Sequence, residues 1–159
     1  MTALIVLAAV LVAAAAVGLF LRSRAGKVRA TEPEAQTTDV RLRLLTEAGV
    51  AGAGPTVLHF SADWCGPCAA VRRVVGQTLE NLDARLGVDA VHAVEVEVDI
   101  DENPALAREL GVLSLPTTFI FDAAQQQRYR VSGVPSAADL EAALVPLCGP
   151  EGSNPPKNG

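Results

Sequence analysis

Two cysteines, Cys65 and Cys68, stand two residues apart in Trp64-Cys65-Gly66-Pro67-Cys68. A pair at that spacing can close into a small disulfide ring and open again, which is the chemistry of thiol–disulfide exchange. Thr56-Val57-Leu58 leads to Phe60 as a buried strand, and Ala69 to Val75 reads as a helix. Cys65 then falls at a helix N-terminus, where orphan N–H groups and the helix dipole favour a thiolate. Pro67 suits the first helical turn, where its missing N–H is not needed. Cys65, at the exposed start of the helix, is the expected nucleophile, and Cys68, one turn further on, the thiol that resolves the mixed disulfide. An inert disulfide across so short a ring would remove little chain entropy. A zinc site takes about four ligands, whereas the chain offers His59, His92 and no second Cys-x-x-Cys.

The elements that must hold this pair follow in order along the chain. Ala93 to Asp99 alternates and carries β-branched residues, which predicts a strand. Asp101-Glu102-Asn103-Pro104 opens a helix over Ala105 to Leu110, and Gly111 closes it. Thr117 to Phe121 and Arg128 to Ser132 form a hairpin, and Ser136 caps a last helix that runs to Leu147. Val40 to Gly54 reads two ways: Val40, Leu42 and Leu44 alternate as in a short strand, while Leu44, Leu45 and Ala48 suit a short helix.

From about Pro55 to Leu147 this order, with Trp64-Cys65-Gly66-Pro67-Cys68 and Leu115-Pro116-Thr117, resembles the thioredoxin family. The resemblance implies an α/β thioredoxin-like fold, a central mixed β-sheet flanked by helices. It also implies a cis Leu115–Pro116 bond in a loop facing the cysteines, Trp64 covering the motif, and a substrate groove near Leu115, Thr117 and Gly133. An extended substrate segment could add there as a strand. The implied activity is that of a protein thiol–disulfide oxidoreductase. Its only redox group would be the Cys65–Cys68 disulfide, with no other cofactor. Gly66-Pro67 between the cysteines resembles the reducing members. The implied partners are protein disulfides and an electron donor such as a thioredoxin reductase or a membrane thiol donor.

Departures from the family pattern surround the motif. Where the family typically has a buried Asp that handles the second cysteine's proton, this chain has His59, and a commonly buried Lys corresponds to Glu97. Adjacent strands would bring Glu97 to His59 and orient its imidazole for deprotonating Cys68. A basic residue after the second cysteine is replaced by Ala69, and a helix-kinking proline by Arg73.

Thr2 to Leu21 carries no charged residue, and a bilayer-crossing helix takes ~20 apolar residues. Arg22, Arg24, Lys27 and Arg29 follow it, the reverse of a signal peptide's order. Basic flanks stay in the cytoplasm, which predicts a single-pass membrane protein with its domain on the cytoplasmic face. The alternative is an extracytoplasmic exchange protein serving secreted or cytochrome-type substrates. A rival of another class is a tethered binding module with incidental cysteines. The expected organisation is an anchor over 1–22, a basic flank and flexible linker over 23–39, the domain over 40–148 and a disordered tail over 149–159. The 159-residue chain has a formal charge of −5 and no basic stripe in its globular part, which excludes a general nucleic-acid binder. Cys148 reads as a free thiol without function and His92 as a surface residue.

Overall fold

Thr56-Val57-Leu58-His59-Phe60-Ser61 is buried at every position, because helices cover both faces of the strand it forms. This strand lies inside a five-stranded mixed sheet. In the computed structural model, which describes residues 2–24, 26–31, 39–87 and 90–148 (side chains 2–4, 8, 9 and 21–24 excepted), the elements follow in this order. They are α1 (Thr2–Arg24), β1 (Arg29–Ala30), α2 (Asp39–Glu47), β2 (Thr56–Ser61), α3 (Cys68–Leu86), β3 (Val94–Asp99), α4 (Pro104–Glu109), β4 (Thr117–Phe121), β5 (Gln127–Ser132) and α5 (Ala137–Cys148). The sheet order is β1-β5-β4-β2-β3, with β2 and β3 parallel and the other neighbours antiparallel. The α/β fold expected from the sequence is therefore present.

Strand alternation sends successive side chains to opposite faces, and two cores result. Val57 and Ile120 meet Val71, Val75 and Leu82 of α3 and Leu140 and Leu144 of α5. On the other face Leu58, Phe60, Phe119 and Phe121 meet Leu45, Leu106 and Leu110. The helix α3 runs well past the expected end at Val75 because its buried positions continue at helical spacing through Thr78, Leu79 and Leu82. It stops at Gly87, whose φ of 76° suits a residue without Cβ. Ser136 caps α5 as expected, its hydroxyl accepting from the Asp139 N–H at 3.1 Å.

The ambiguous segment after Val40 is helical over Asp39–Glu47. Arg41 and Leu45, one helical turn apart, are its buried residues, while Val40 faces solvent, so the alternating reading fails.

A second difference lies in the segment 23–39, expected as a basic flank and flexible linker. Residues 26–31 instead run along β5: the Gly26 N–H donates to Ser132 O at 2.7 Å and the Thr31 N–H to Arg128 O at 2.8 Å. Arg29 pairs with Arg130 and Ala30 with Tyr129. The physical reason is that β5 would otherwise present an open edge of unpaired backbone groups. The remainder of the expected linker, 32–38, and the expected tail, 149–159, lie outside the described residues. So do several side chains of the expected 2–21 span. Among the described residues no helix is long and apolar enough to cross a membrane.

Candidate active site

The chain leaves β2 at Ser61 and turns twice before α3 begins. The Cys65 N–H donates to Ala62 O at 3.0 Å, and the Cys68 N–H donates to Cys65 O at 3.2 Å. Pro67, with φ −68°, stands immediately before the helix, whose first residue is Cys68. Cys65 therefore occupies the turn ahead of α3 rather than the helix terminus expected from the sequence. The two sulfurs are bonded at 2.06 Å. Cys68 is 2% exposed, whereas Cys65 is only half-buried. The sulfur of Cys68 lies 3.8 Å from Phe60 O. Access is thus unequal: a substrate reaches Cys65, and only Cys65 reaches Cys68.

The proline loop meets this turn through the sheet register. Phe60 pairs with Thr117, so Leu115 and Pro116 stand just beyond the end of β2, beside the residues that lead to Cys65. The Leu115–Pro116 bond is cis. Pro116 O accepts from the Gly133 N–H at 2.8 Å, which ties the two loops together. Gly133 has φ 92°, a conformation that suits glycine. Thr117 is buried, and its hydroxyl donates to Ser114 O at 2.7 Å, so this expected groove residue turns its side chain inward. Leu115 is half-buried, and Leu113, absent from the sequence-based set, is 94% exposed. Trp64 is 71% exposed and its indole N–H donates to Asp101 Oδ2 at 3.2 Å. Gly66 is exposed, with open space where a Cβ would stand.

The expected His59–Glu97 pair is a correction. The two residues are register partners, but His59 Nε2 meets Glu95 Oε1 at 2.7 Å. Glu97 is taken by Arg72, which donates from Nε and from one terminal nitrogen, each at 2.7 Å. The reason is reach from the helix: Arg72 lies one turn beyond Cys68 on α3, and a guanidinium fork matches a carboxylate better than a single imidazole nitrogen can. His59 is fully buried, and its Nδ1 finds no hydrogen-bond partner among the described residues. Arg72, Glu95 and Asp101 were missed in the sequence. The signal for Arg72 was its helical spacing from Cys68.

A cleft of about 720 Å³ opens beside Cys65, with Arg72, Glu97, Asp99 and Glu102 on its walls. The Arg72 guanidinium pulls the Glu97 carboxyl from 4.5 down to about 2, against the opposing effect of burial, with the Ser61 hydroxyl and His59 helping. A carboxyl depressed in the fold stabilises the folded state above its unfolded value, and this contribution fades as pH falls through the folded value. Glu97→Gln is therefore expected to flatten the loss of stability between about pH 4.5 and about 2, measured as urea midpoints across that window. An unchanged pH slope would contradict the ion pair. Elsewhere, His92 Nδ1 meets Asp83 Oδ1 at 2.7 Å at the surface. Cys148 is buried in the α3/α5 core, and desolvation pushes its thiol up.

An accessible and a buried cysteine in one disulfide, ahead of a helix and beside a cis-proline loop, define a thiol–disulfide oxidoreductase. The chain belongs to the thioredoxin family, whose profile matches residues 46–145. It is 34% identical to the thioredoxin of Pyropia yezoensis over 83 residues, 52% of this chain and 71% of that protein. Against thioredoxin 1 of Nostoc sp. it is 36% identical over 81 residues, 51% and 69% of the two chains. Against the thioredoxin of Mycolicibacterium smegmatis it is 40% identical over 67 residues, 42% of this chain and 55% of the relative. Residues 1–45 lie outside the family match.

Proposed function

We propose that this chain is a membrane-tethered protein-disulfide reductase working on the cytoplasmic face. The observation that carries the reductase reading is the unequal access of Cys65 and Cys68. The Cys65 thiolate attacks a substrate disulfide, forming a mixed disulfide and expelling one substrate thiolate. Cys68, losing its proton, then attacks Cys65 and expels the second. Two electrons pass to the substrate, and the Cys65–Cys68 disulfide remains for a donor, such as a thioredoxin reductase or a membrane thiol donor, to reduce.

Support for the tether comes from the uncharged stretch Thr2–Leu21 and the basic residues after it. In α1, Ile5, Val12 and Leu19 stand 68%, 70% and 71% exposed among the described residues. The positive flank orients the domain inward.

His59 is a positioning and proton-handling residue in this reading. It precedes Phe60, whose carbonyl faces the Cys68 sulfur, and Glu95 holds its Nε2. The free Nδ1 takes the proton of Cys68 as the mixed disulfide resolves. His59→Asn is expected to slow that resolution and alter its pH profile between pH 6 and 9, by rapid-quench mass analysis; an unchanged profile sinks this role.

The whole reading is tested by mixing the reduced chain, in vesicles, with a disulfide-bonded protein. Substrate thiols should appear in step with loss of the Cys65 and Cys68 thiols. Binding without thiol release would instead favour a binding module.

A further inference from the structure

The end of the sheet that carries the dithiol is also the end at which α1 joins the domain. β2 ends at Ser61, β3 ends at Asp99, β4 begins at Thr117 and β5 ends at Ser132, and the pairings of Ser61 with Asp99, Phe60 with Thr117 and Thr117 with Ser132 put all four at one edge. β1 runs antiparallel to β5 and enters at that same edge, because the Gly26 N–H binds Ser132 O. One residue separates Gly26 from Arg24, the last residue of α1. Three strand spacings of ~4.8 Å lie between β1 and β2 in the order β1-β5-β4-β2, which places the helix exit ~14 Å to the side of the turn bearing Cys65.

Hydrogen bonds continue the link. Gly26 is bonded to Ser132, and the next residue, Gly133, is bonded to Pro116 of the proline loop. Gly26 has φ 79°, and a Cβ there would collide with the Val134 carbonyl. The seat of β1 on the domain therefore has little slack. Exposed apolar side chains stand at this edge, Trp64, Leu113 and Val134. The acidic side of the cleft, Glu97 and Asp99 on β3, is at the sheet's far side from α1.

We propose that the docked β1 holds the dithiol against the bilayer surface, so that its substrates are disulfides carried by membrane-held chains close to the lipid headgroups. This rests on the tethered reading above and goes beyond it, since a tether through a loose linker would leave the dithiol facing any direction. A docked geometry trades reach into bulk solution for a high local concentration of juxtamembrane disulfides.

Trp64 is the chain's one tryptophan and adjoins Cys65, so it reports the position of the dithiol. The full chain is placed in phosphatidylcholine vesicles containing a dansyl-headgroup lipid, and energy transfer from Trp64 is measured. Two variants loosen the seat without touching the dithiol: Gly26→Val, and a Gly/Ser spacer inserted between Arg24 and Gly26. The native chain is expected to float with the vesicles and to transfer strongly. Both variants should still float but transfer weakly. The native chain should also reduce a lipid-anchored disulfide peptide at least about tenfold faster than the same peptide in solution, and both variants should lose that ratio while keeping the solution rate. If the native chain floats but transfers no more than the spacer variant, the proposal falls and the tether stands. If the native chain does not float, the tether falls and this proposal with it.

Discussion

Cys65→Ser is expected to reduce disulfide exchange to the rate seen without protein, whereas Cys68→Ser is expected to leave the chain covalently joined to its substrate. The difference follows from burial. Cys65 is half-buried in the turn and is the sulfur a substrate can meet, while Cys68 is 2% exposed beneath it. A serine hydroxyl carries no thiolate and does not attack a disulfide at neutral pH. With Ser at 68 the first attack still proceeds, but nothing inside the site displaces the substrate from Cys65. Cys148 cannot substitute in either variant, because it is buried in the α3/α5 core and desolvation pushes its thiol up. Non-reducing electrophoresis and intact-mass measurement read both outcomes. A mixed disulfide persisting in Cys68→Ser until an external dithiol is added supports the assignment. Turnover by Cys65→Ser, or equal trapping by both variants, would reverse the roles of the two sulfurs.

Phe119→Ala is expected to remove about 3–5 kcal/mol of folding stability, a large part of the ~5–15 kcal/mol that holds a domain together. Phe119 is fully buried in the α2/α4 core. Its ring meets Phe60 edge-on at 6.1 Å and stacks with Phe121 at 6.3 Å. Arg130 caps it, the guanidinium carbon 5.1 Å from the ring centre, and donates onward to Leu110 O and Gly111 O. Truncation therefore opens a cavity between the sheet and the α2/α4 layer and removes the ring beneath the Arg130 guanidinium. The urea midpoint of the oxidised chain should fall accordingly, with little change in slope. Since Phe119 faces away from the α3 side of the sheet, the folded fraction should keep its exchange rate. A loss below about 1 kcal/mol would mean that the core collapses around the gap.

Local chemistry was readable from residue order alone. Trp64-Cys65-Gly66-Pro67-Cys68 is a contiguous signal, and the apolar alternation and turn residues around it marked β2, β3, the β4–β5 hairpin and α5 within a few residues. The proline loop followed from Leu115-Pro116-Thr117 and its resemblance to a known family. Such features depend on neighbours in the chain, and a chain carries its neighbours with it.

Pairings between distant side chains were not readable. Glu95 and Glu97 lie on the same face of β3, so either could serve His59 by alternation, and the choice was made by Arg72 reaching across from α3 to claim Glu97. Asp39–Glu47 carries both a period-two and a helical pattern, and packing of Arg41 and Leu45 decided for the helix. The flank after α1 has the polar composition of a linker, yet an open edge on β5 draws it in as β1. By itself, then, the sequence determined the dithiol, its family and most of the strands that frame it. Only the tertiary structure decided which carboxylate meets the buried histidine and at which end of the sheet the N-terminal helix is seated. Those choices turn on competition among groups far apart in sequence, which is resolved only when the sheet brings them together.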